Sequence, residues 1–441
     1  MRVATATWLI IITLGCSSTT VESNGAGPEA SRDPDSFDDD PVTIMPDSGD
    51  GGEPGEPVDS AFQGPDDLIV MGADAAGDGD LWVPEAGDFV LRDMETGSLW
   101  NLRGQAFEGE MSGAQLGQVA AYTVFWFSWS TAHHGGEVWN RPEIVNDPGE
   151  IAADEEGGCE VPCDEIRSGG PPPDGIPTLD HAGRWERPKE ALMVSAEEAT
   201  YVRDDGLVLG VFIDGEARAY PHAILNWHEN HIDQIGEAEY NMTYCPLTGS
   251  GIVIPADQGG EDPMYMYVSG RLFNDNLTMF ERGPSQQDAT FWNQVLLKGI
   301  AGPRAGEKLD IWPVTETTWA RWKEMHPGTL VESDDTGYSR DYGRNPYTSN
   351  QQPTAGTLRP VAPQWRDTYD NKSKVLAIDG PQTSRAYAFD EMEAAGDRLV
   401  INDSLDDTDI VVIYDAAHRM AVPFGRSLDG QTFTFEGAVA P

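Results

Sequence analysis

The feature that most constrains the fold is a set of six residues that occurs twice with identical spacing. The two sets are Gly109, Gly113, Leu116, Trp126, Trp129 and His133, and Gly302, Gly306, Leu309, Trp319, Trp322 and His326. Trp100 and Trp292 precede the two sets at nearly equal distances. Such self-similarity predicts one structural unit that the chain uses twice.

A second, weaker similarity supplies the other half of each unit. Residues 208–220 resemble residues 375–387, and residues 240–244 resemble residues 409–414. Residues 207–331 therefore hold both halves of one module in order. The other module has its first half at 375–441 and its second half at 80–140. The sequence predicts a continuous module and a split module whose two halves, from opposite chain ends, dock on each other.

Local patterns favour short strands with a few short helices. Residues 208–220 contain two apolar stretches around Asp214 and Gly215, which predicts a β-hairpin. Residues 221–231 and 317–325 have helical spacing. We therefore predict an α+β fold in which β-structure dominates. The continuous module is expected to span residues 179–345, between a loop or linker at 146–178 and a second linker at 346–374.

The N-terminus has the pattern of a targeting segment. Residues 3–14 form an apolar run after Arg2, which is too short for a permanent bilayer-spanning helix and has signal-peptide proportions. Gly15 followed by Cys16 resembles the lipobox of bacterial lipoproteins. We expect residues 1–15 to be removed and Cys16 to carry lipid. The alternative is an ordinary cleaved signal peptide with an incidental cysteine.

The segment after Cys16 is predicted to be a tether. Residues 16–66 are acidic and contain few large apolar side chains, so they cannot offset the entropy of ordering. No later segment is apolar enough to cross a membrane as a helix. We therefore expect an exported cell-envelope protein that contacts its membrane through the lipid anchor, without a transmembrane helix in the mature chain.

The charge balance excludes one class of partner. The formal net charge is −47 at pH 7, whereas nucleic-acid binding requires clustered Lys and Arg on the protein surface. We expect no nucleic-acid partner. High solubility is the simpler consequence of the charge, and a surface that gathers cations is the alternative.

Four cysteines divide into three kinds. Cys16 is the expected lipidation site. Cys159 and Cys163 lie close together in the sequence, and in an exported protein they predict a local disulfide. Half of a metal site is the alternative for this pair. Cys245 is then an odd thiol.

The repeat provides an internal control for choosing functional residues. Residues shared by both modules are expected to serve the fold, and residues present in one module are better functional candidates. The continuous module alone contains His222, His228, Glu229, His231 and Cys245, whereas Asp415 stands opposite Cys245 in the split module.

Three interpretations of these residues remain open. His222, His228, His231 and Cys245 would suit copper or zinc. Alternatively, Cys245 acts as a catalytic thiol with His228 as base and Glu229 beside them. The third possibility is a structural or interaction protein without catalysis. Further polar residues are predicted to line a ligand pocket: Arg218, Tyr220, Ser250, Asn276, Arg282, Arg340 and Asp341.

The motifs of the continuous module also carry a family resemblance. Residues 208–229 and the run Thr243-Tyr244-Cys245-Pro246-Leu247-Thr248-Gly249-Ser250 resemble the prokaryotic family known as domain of unknown function 3179. The resemblance covers residues 174–347 well. It implies an exported protein without an established activity. The family pattern has a second Cys where Thr248 stands, so a Cys-x-x-Cys dithiol is absent from this motif.

Overall fold

In the computed structural model, the described residues are 70–71, 81–133, 135–142, 151–154, 156–180, 192–260, 262–281, 289–347 and 369–441. They all belong to one compact unit, Val58–Pro441. The predictions for residues 1–66, including lipidation of Cys16, lie outside the described residues. The same holds for Arg282 and for most of the predicted linker 346–374.

Short strands are the predominant secondary structure of the described residues. The N-terminal strands are β1 Val70–Met71, β2 Phe89–Asp93, β3 Leu99–Trp100, β4 Ala106–Glu108, β5 Gln118–Val119, β6 Tyr122–Phe125 and β7 Glu137–Val138. The central strands are β8 Arg167–Ser168, β9 Leu179–Asp180, β10 Met193–Ser195, β11 Leu207–Ile213, β12 Glu216–Pro221, β13 Asn230–Ile235, β14 Ala238–Cys245, β15 Ser250–Pro255, β16 Met266–Phe273, β17 Asn276–Glu281, β18 Thr290–Asn293, β19 Lys298–Ala301, β20 Thr315–Thr318 and β21 Leu330–Glu332. The C-terminal strands are β22 Lys374–Asp379, β23 Ser384–Ala388, β24 Arg398–Leu405, β25 Thr408–Asp415, β26 Met420–Gly425, β27 Ser427–Leu428, β28 Gln431–Thr432 and β29 Phe435–Val439.

Four α-helices of seven residues each occur in the described part of the chain: α1 Trp126–Ala132, α2 His222–His228, α3 Trp319–Met325 and α4 Phe389–Ala395. Such short helices depend on packing against the sheets, because isolated helices of this length are unstable in water. None of the described helices is long and apolar enough to cross a membrane. The predicted β-dominant α+β fold class is confirmed.

The two modules share the same arrangement of strands. In the continuous module, β21, β12, β11 and β20 are neighbours in one sheet, and β7, β23, β22 and β6 have the same order in the split module. In each module, the first pair is parallel, β21 with β12 and β7 with β23. The other two pairs of each module are antiparallel. The predicted hairpin is β11 and β12, with Asp214 and Gly215 at positive φ in its turn.

The remaining sheets repeat in the same way. Strands β13, β14 and β15 correspond to β24, β25 and β26, and strands β16 to β19 correspond to β29, β2, β3 and β4. Strand β29, at the end of the chain, pairs with β2 over five residues from Phe89↔Val439 to Asp93↔Phe435. The prediction that the two chain ends build one module is therefore confirmed.

The repeated residues perform the same structural task in both modules. Gly109 and Gly302 have φ values of 100° and 103°, which disfavour any side chain. Added Cβ atoms would clash with Ser98 and Ala289, respectively. Trp129 and Trp322 are at most 2% exposed, one in each module. The main hydrophobic core contains residues of both modules, so the modules are packed into one body.

Helix α2 is shorter than predicted. It ends at His228, because Glu229 adopts φ 58° and ψ −30° and Asn230 begins strand β13. His231, which the predicted helix over residues 221–231 would place on one helix with His228, therefore lies on strand β13.

Residues 156–178, within the stretch predicted as a loop or linker (146–178), pack on the continuous module. Strand β8 pairs with β16 at Arg271 and Leu272, and Glu160 N–H donates to the Ile300 carbonyl. Cys159 and Cys163 are joined in a disulfide within this segment.

Candidate functional site

Cys245 ends strand β14 and is only 2% exposed. Its Sγ accepts a hydrogen bond from the Leu277 N–H at 3.3 Å. Burial, together with the nearby Glu229, raises the pKa of the thiol to about 11, although hydrogen bonds with Thr248 and Leu277 oppose the shift. The thiol is therefore protonated at neutral pH, and both nucleophilic attack and metal binding need the thiolate.

Glu229 is the residue of this region with the most unusual position. It follows α2 with a positive φ that is uncommon for a side chain other than Asn or Asp, and it is 6% exposed. Burial raises the pKa of its carboxyl group to about 7, while the Tyr347 hydroxyl donates a 2.6 Å hydrogen bond to Oε1 and opposes that rise. The carboxyl group therefore titrates near neutral pH.

Glu229 and Tyr347 line a cavity of about 350 Å³. One wall is formed by residues 165–171, which include β8, and it continues into the paired strand β16, strand β17 and the turn between them. The lining is Glu165, Arg167, Ser168, Gly169, Gly170, Pro171, Ile176, Glu229, Leu247, Val268, Gly270, Arg271, Leu272, Asn274, Asp275, Leu277 and Tyr347. This volume is within the range of small-molecule sites.

His228 is held as a neutral imidazole with both nitrogens engaged. Nδ1 lies 2.9 Å from the Pro177 carbonyl, which can only accept, so Nδ1 carries the proton. Nε2 therefore accepts from the Tyr342 hydroxyl at 2.7 Å. Burial lowers the pKa of His228 to about 4. Use of His228 as a base would require Tyr342 to move away from Nε2.

The other two histidines have separate partners. His231 Nδ1 lies 2.6 Å from Glu332 Oε1, and both side chains are fully buried. His222 Nε2 lies 3.5 Å from Glu316 Oε2, a carboxylate that also binds Lys374. In the part of the chain that the structure describes, no group of three His, Cys, Asp or Glu residues has a metal-binding arrangement.

Two of the predicted pocket residues belong to a repeated cluster. The Arg218 guanidinium and the Tyr220 hydroxyl both bind the buried carboxylate of Asp233. Arg385 and Tyr387 bind Asp403 in the same way in the split module. Because the cluster occurs in both modules, Arg218 and Tyr220 serve the fold by the internal control that the repeat provides.

Ser250 and Asn276 lie in a buried polar network rather than on the cavity surface. Ser250 Oγ donates to Gln294 Oε1 at 2.7 Å, and Asn276 Nδ2 donates to Thr248 Oγ1 at 3.0 Å. Thr248 is thus a member of this network and also hydrogen bonds Cys245.

Arg340 and Asp341 lie on the surface. The Arg340 guanidinium is 5.8 Å from the centre of the Trp227 ring, and the Asp341 carbonyl accepts from the Arg344 N–H. Neither residue lines the cavity.

The sequence interpretation missed two parts of the site. The sequence predicts a linker at Tyr347 and a loop or linker at residues 165–171. Neither belongs to the repeat or to the quoted motifs. One indication in the sequence is that residues 146–178 have no counterpart in the split module.

The position equivalent to Cys245 has a different chemistry. Asp415 ends β25, is fully buried, and lies 3.0 Å from Arg321 and 2.8 Å from His418. Burial opposes ionisation of Asp415, but His418 and Arg321 outweigh it and lower the pKa. Asp415 therefore joins an ionic cluster with His418 and with Arg321 of the continuous module, whereas Cys245 is a thiol that hydrogen bonds Leu277, a residue of the cavity lining.

Fold and site together define a class: a β-rich protein of two pseudo-equivalent modules with a cavity beside Glu229 of the continuous module. The chain belongs to the family described as protein of unknown function (DUF3179), whose model matches residues 173–439. This confirms the family resemblance of the motifs. No curated protein and no solved structure matched the chain.

Proposed function

We propose that this protein binds a small organic ligand in the cavity beside Glu229. The observation that carries the proposal is a buried carboxyl group, with a pKa raised to about 7, on the wall of a cavity of about 350 Å³. Perturbed acids in clefts are typical of functional sites. The positive φ of Glu229 supports the proposal, since unfavourable backbone conformations concentrate at such sites.

Binding is a better proposal than thiol catalysis. A thiol with a pKa near 11 supplies little thiolate at neutral pH. His228, its expected base, has its free nitrogen lone pair engaged by Tyr342. Both observations favour a ligand that uses the cavity surface and Glu229.

A cavity-filling variant tests the binding proposal. Ser168 is exposed and lines the cavity, so Ser168→Trp should obstruct it without disturbing the core. Ser427→Trp, on the exposed strand β27, is the matched control. In a thermal-shift screen of a small-molecule library, we expect compounds that stabilise the wild type and the control but not Ser168→Trp. Equal stabilisation of all three proteins would contradict the proposal.

Metal binding stays a prediction. Copper or zinc at His222, His228, His231 and Cys245 would require side chains with separate hydrogen-bond partners to rearrange. Elemental analysis of the purified protein and of a His231→Gln variant tests it. Stoichiometric copper or zinc that the variant loses would support the metal site.

We also propose that the protein is exported to the cell envelope and held there by lipid on Cys16. The support is the apolar run at residues 3–14 followed by Gly15 and Cys16. Detergent-phase partitioning of the wild type and of Cys16→Ala tests this proposal. Partitioning of both proteins into the aqueous phase would contradict lipid attachment.

A further inference from the structure

We infer that the ligand of the cavity carries a protonated amino group that pairs with the carboxylate of Glu229. This inference rests on the proposed binding function and specifies the chemical class of the ligand. It starts from the geometry of the carboxyl group, which lines the cavity while its residue is only 6% exposed.

Glu229 has an incomplete set of partners. Oε1 accepts the Tyr347 hydroxyl at 2.6 Å, and among the described residues no other side chain hydrogen bonds this carboxyl group. No described Lys or Arg contributes to its ionisation, which only Tyr347 favours and burial opposes. A buried carboxylate needs a countercharge and hydrogen-bond donors. An ammonium group in the cavity would supply both to the second oxygen.

The backbone conformation at Glu229 supports a functional role for its side chain. The residue at the end of α4 in the split module is Gly396, whose φ of 162° is ordinary extended backbone, so the two helix ends differ in conformation. The continuous module places a carboxylate there despite its positive φ. The Tyr244 N–H donates to the Glu229 carbonyl, which fixes the backbone and the direction of the side chain.

The rest of the lining suits a cation with an apolar body. Glu165 and Asp275 add negative charge to the cavity, while Ile176, Leu247 and Leu277 provide apolar surface. Arg167 and Arg271 also line the cavity, but both side chains are exposed, so solvent screens their charge. The strongest unscreened charge available to a ligand is therefore the carboxylate of Glu229.

Proton linkage gives the inference a signature. Glu229 is about half protonated at neutral pH, and an ammonium ligand binds its ionised form. Binding should therefore release protons and become tighter as the pH rises through about 7. An aliphatic ammonium keeps its own proton in this range, since its pKa is close to that of lysine, about 10.4.

Three probes with one shared ring test the charge preference: benzylammonium, benzyl alcohol and benzoate. Calorimetric titration of the full-length protein should show benzylammonium binding at least about tenfold more tightly than benzyl alcohol, because a charge-assisted hydrogen bond is added. Proton release should appear as a heat that depends on the buffer. Ser168→Trp should abolish binding.

The variant Glu229→Gln separates charge from shape. It should remove the preference for benzylammonium and the proton release, while benzyl alcohol binding persists. If benzyl alcohol or benzoate binds the wild type as tightly as benzylammonium, the charge inference is overturned and the binding proposal stands. If none of the three probes binds, the charge inference is overturned, and the library screen decides the binding proposal separately.

Discussion

The two modules have the same strand order but differ at two corresponding places. After the first helix, the continuous module has Glu229 and the split module has Gly396. At the end of the second strand that follows, one has Cys245 and the other Asp415. In the split module Gly396 ends helix α4, and Asp415 forms an ionic cluster with His418 and with Arg321 of the continuous module. In the continuous module Glu229 lines a cavity and Cys245 hydrogen bonds the lining residue Leu277, so the shared residues maintain the fold and the differing residues define the site.

The equivalence of the two modules is tested most strongly by the contribution of each repeated tryptophan to stability. Trp129→Ala and Trp322→Ala should each lower the free energy of unfolding by about 3–5 kcal/mol, because both side chains are buried in equivalent cores. Denaturant titration measures the change. Val83→Ala, at a residue 61% exposed, should be nearly neutral. A neutral effect at either tryptophan would contradict the equivalence of the modules.

Equivalent positions with different chemistry should respond differently. Asp415→Ala leaves the buried Arg321 without one carboxylate and should cost about 3 kcal/mol. Cys245→Ala removes only a small buried thiol and should cost about 1 kcal/mol. Chemical denaturation of the two variants gives both values. Equal costs would show that the thiol has a structural role comparable to that of the ionic cluster.

The disulfide should matter for the cavity wall that the split module lacks. Replacing Cys159 and Cys163 by serine should cost about 2 kcal/mol or less, since the closed loop is short. Any ligand of the cavity should bind several-fold more weakly, because the wall at residues 165–171 follows this loop directly. Thermal unfolding and titration with a cavity ligand measure the two effects. Unchanged affinity would mean that the wall holds its position without the disulfide.

The smallest expected effect concerns the hydrogen bond to Glu229. Tyr347→Phe should destabilise the fold by about 1 kcal/mol and raise the pKa of Glu229 further, because the hydroxyl favours the ionised carboxylate. The pH dependence of ligand binding should shift upward accordingly. A downward shift would contradict the assigned hydrogen bond. Tyr338→Phe, at a half-exposed tyrosine outside the cavity, is the control.

The sequence predicts the architecture well because the repeat consists of residues whose structural roles are restricted. Glycines at positive φ and paired buried tryptophans leave a recognisable spacing, and the join of β29 with β2 follows from it. The family motifs likewise identify the continuous module.

The site was only partly predictable. The repeat comparison selected Glu229 and Cys245, but it grouped them with three histidines that the structure distributes among separate partners. His231 moved to a strand because Glu229 ends α2 early. The segments that contain residues 165–171 and Tyr347 have neither periodicity nor a repeat. Their conformation depends on contacts with residues far away in the sequence, which the local pattern does not reveal.

The pH dependence of stability tests the central claim most directly. Because the folded-state pKa of Glu229, about 7, exceeds its ordinary value of 4.5, the folded state retains a proton that the unfolded state has lost. Relative to Glu229→Gln, the wild type should therefore lose unfolding free energy as the pH rises from 4.5 to about 7. The expected loss is on the order of 1 kcal/mol per pH unit in this range. Parallel pH profiles for the two proteins would contradict a buried, neutral-range carboxyl group at the cavity.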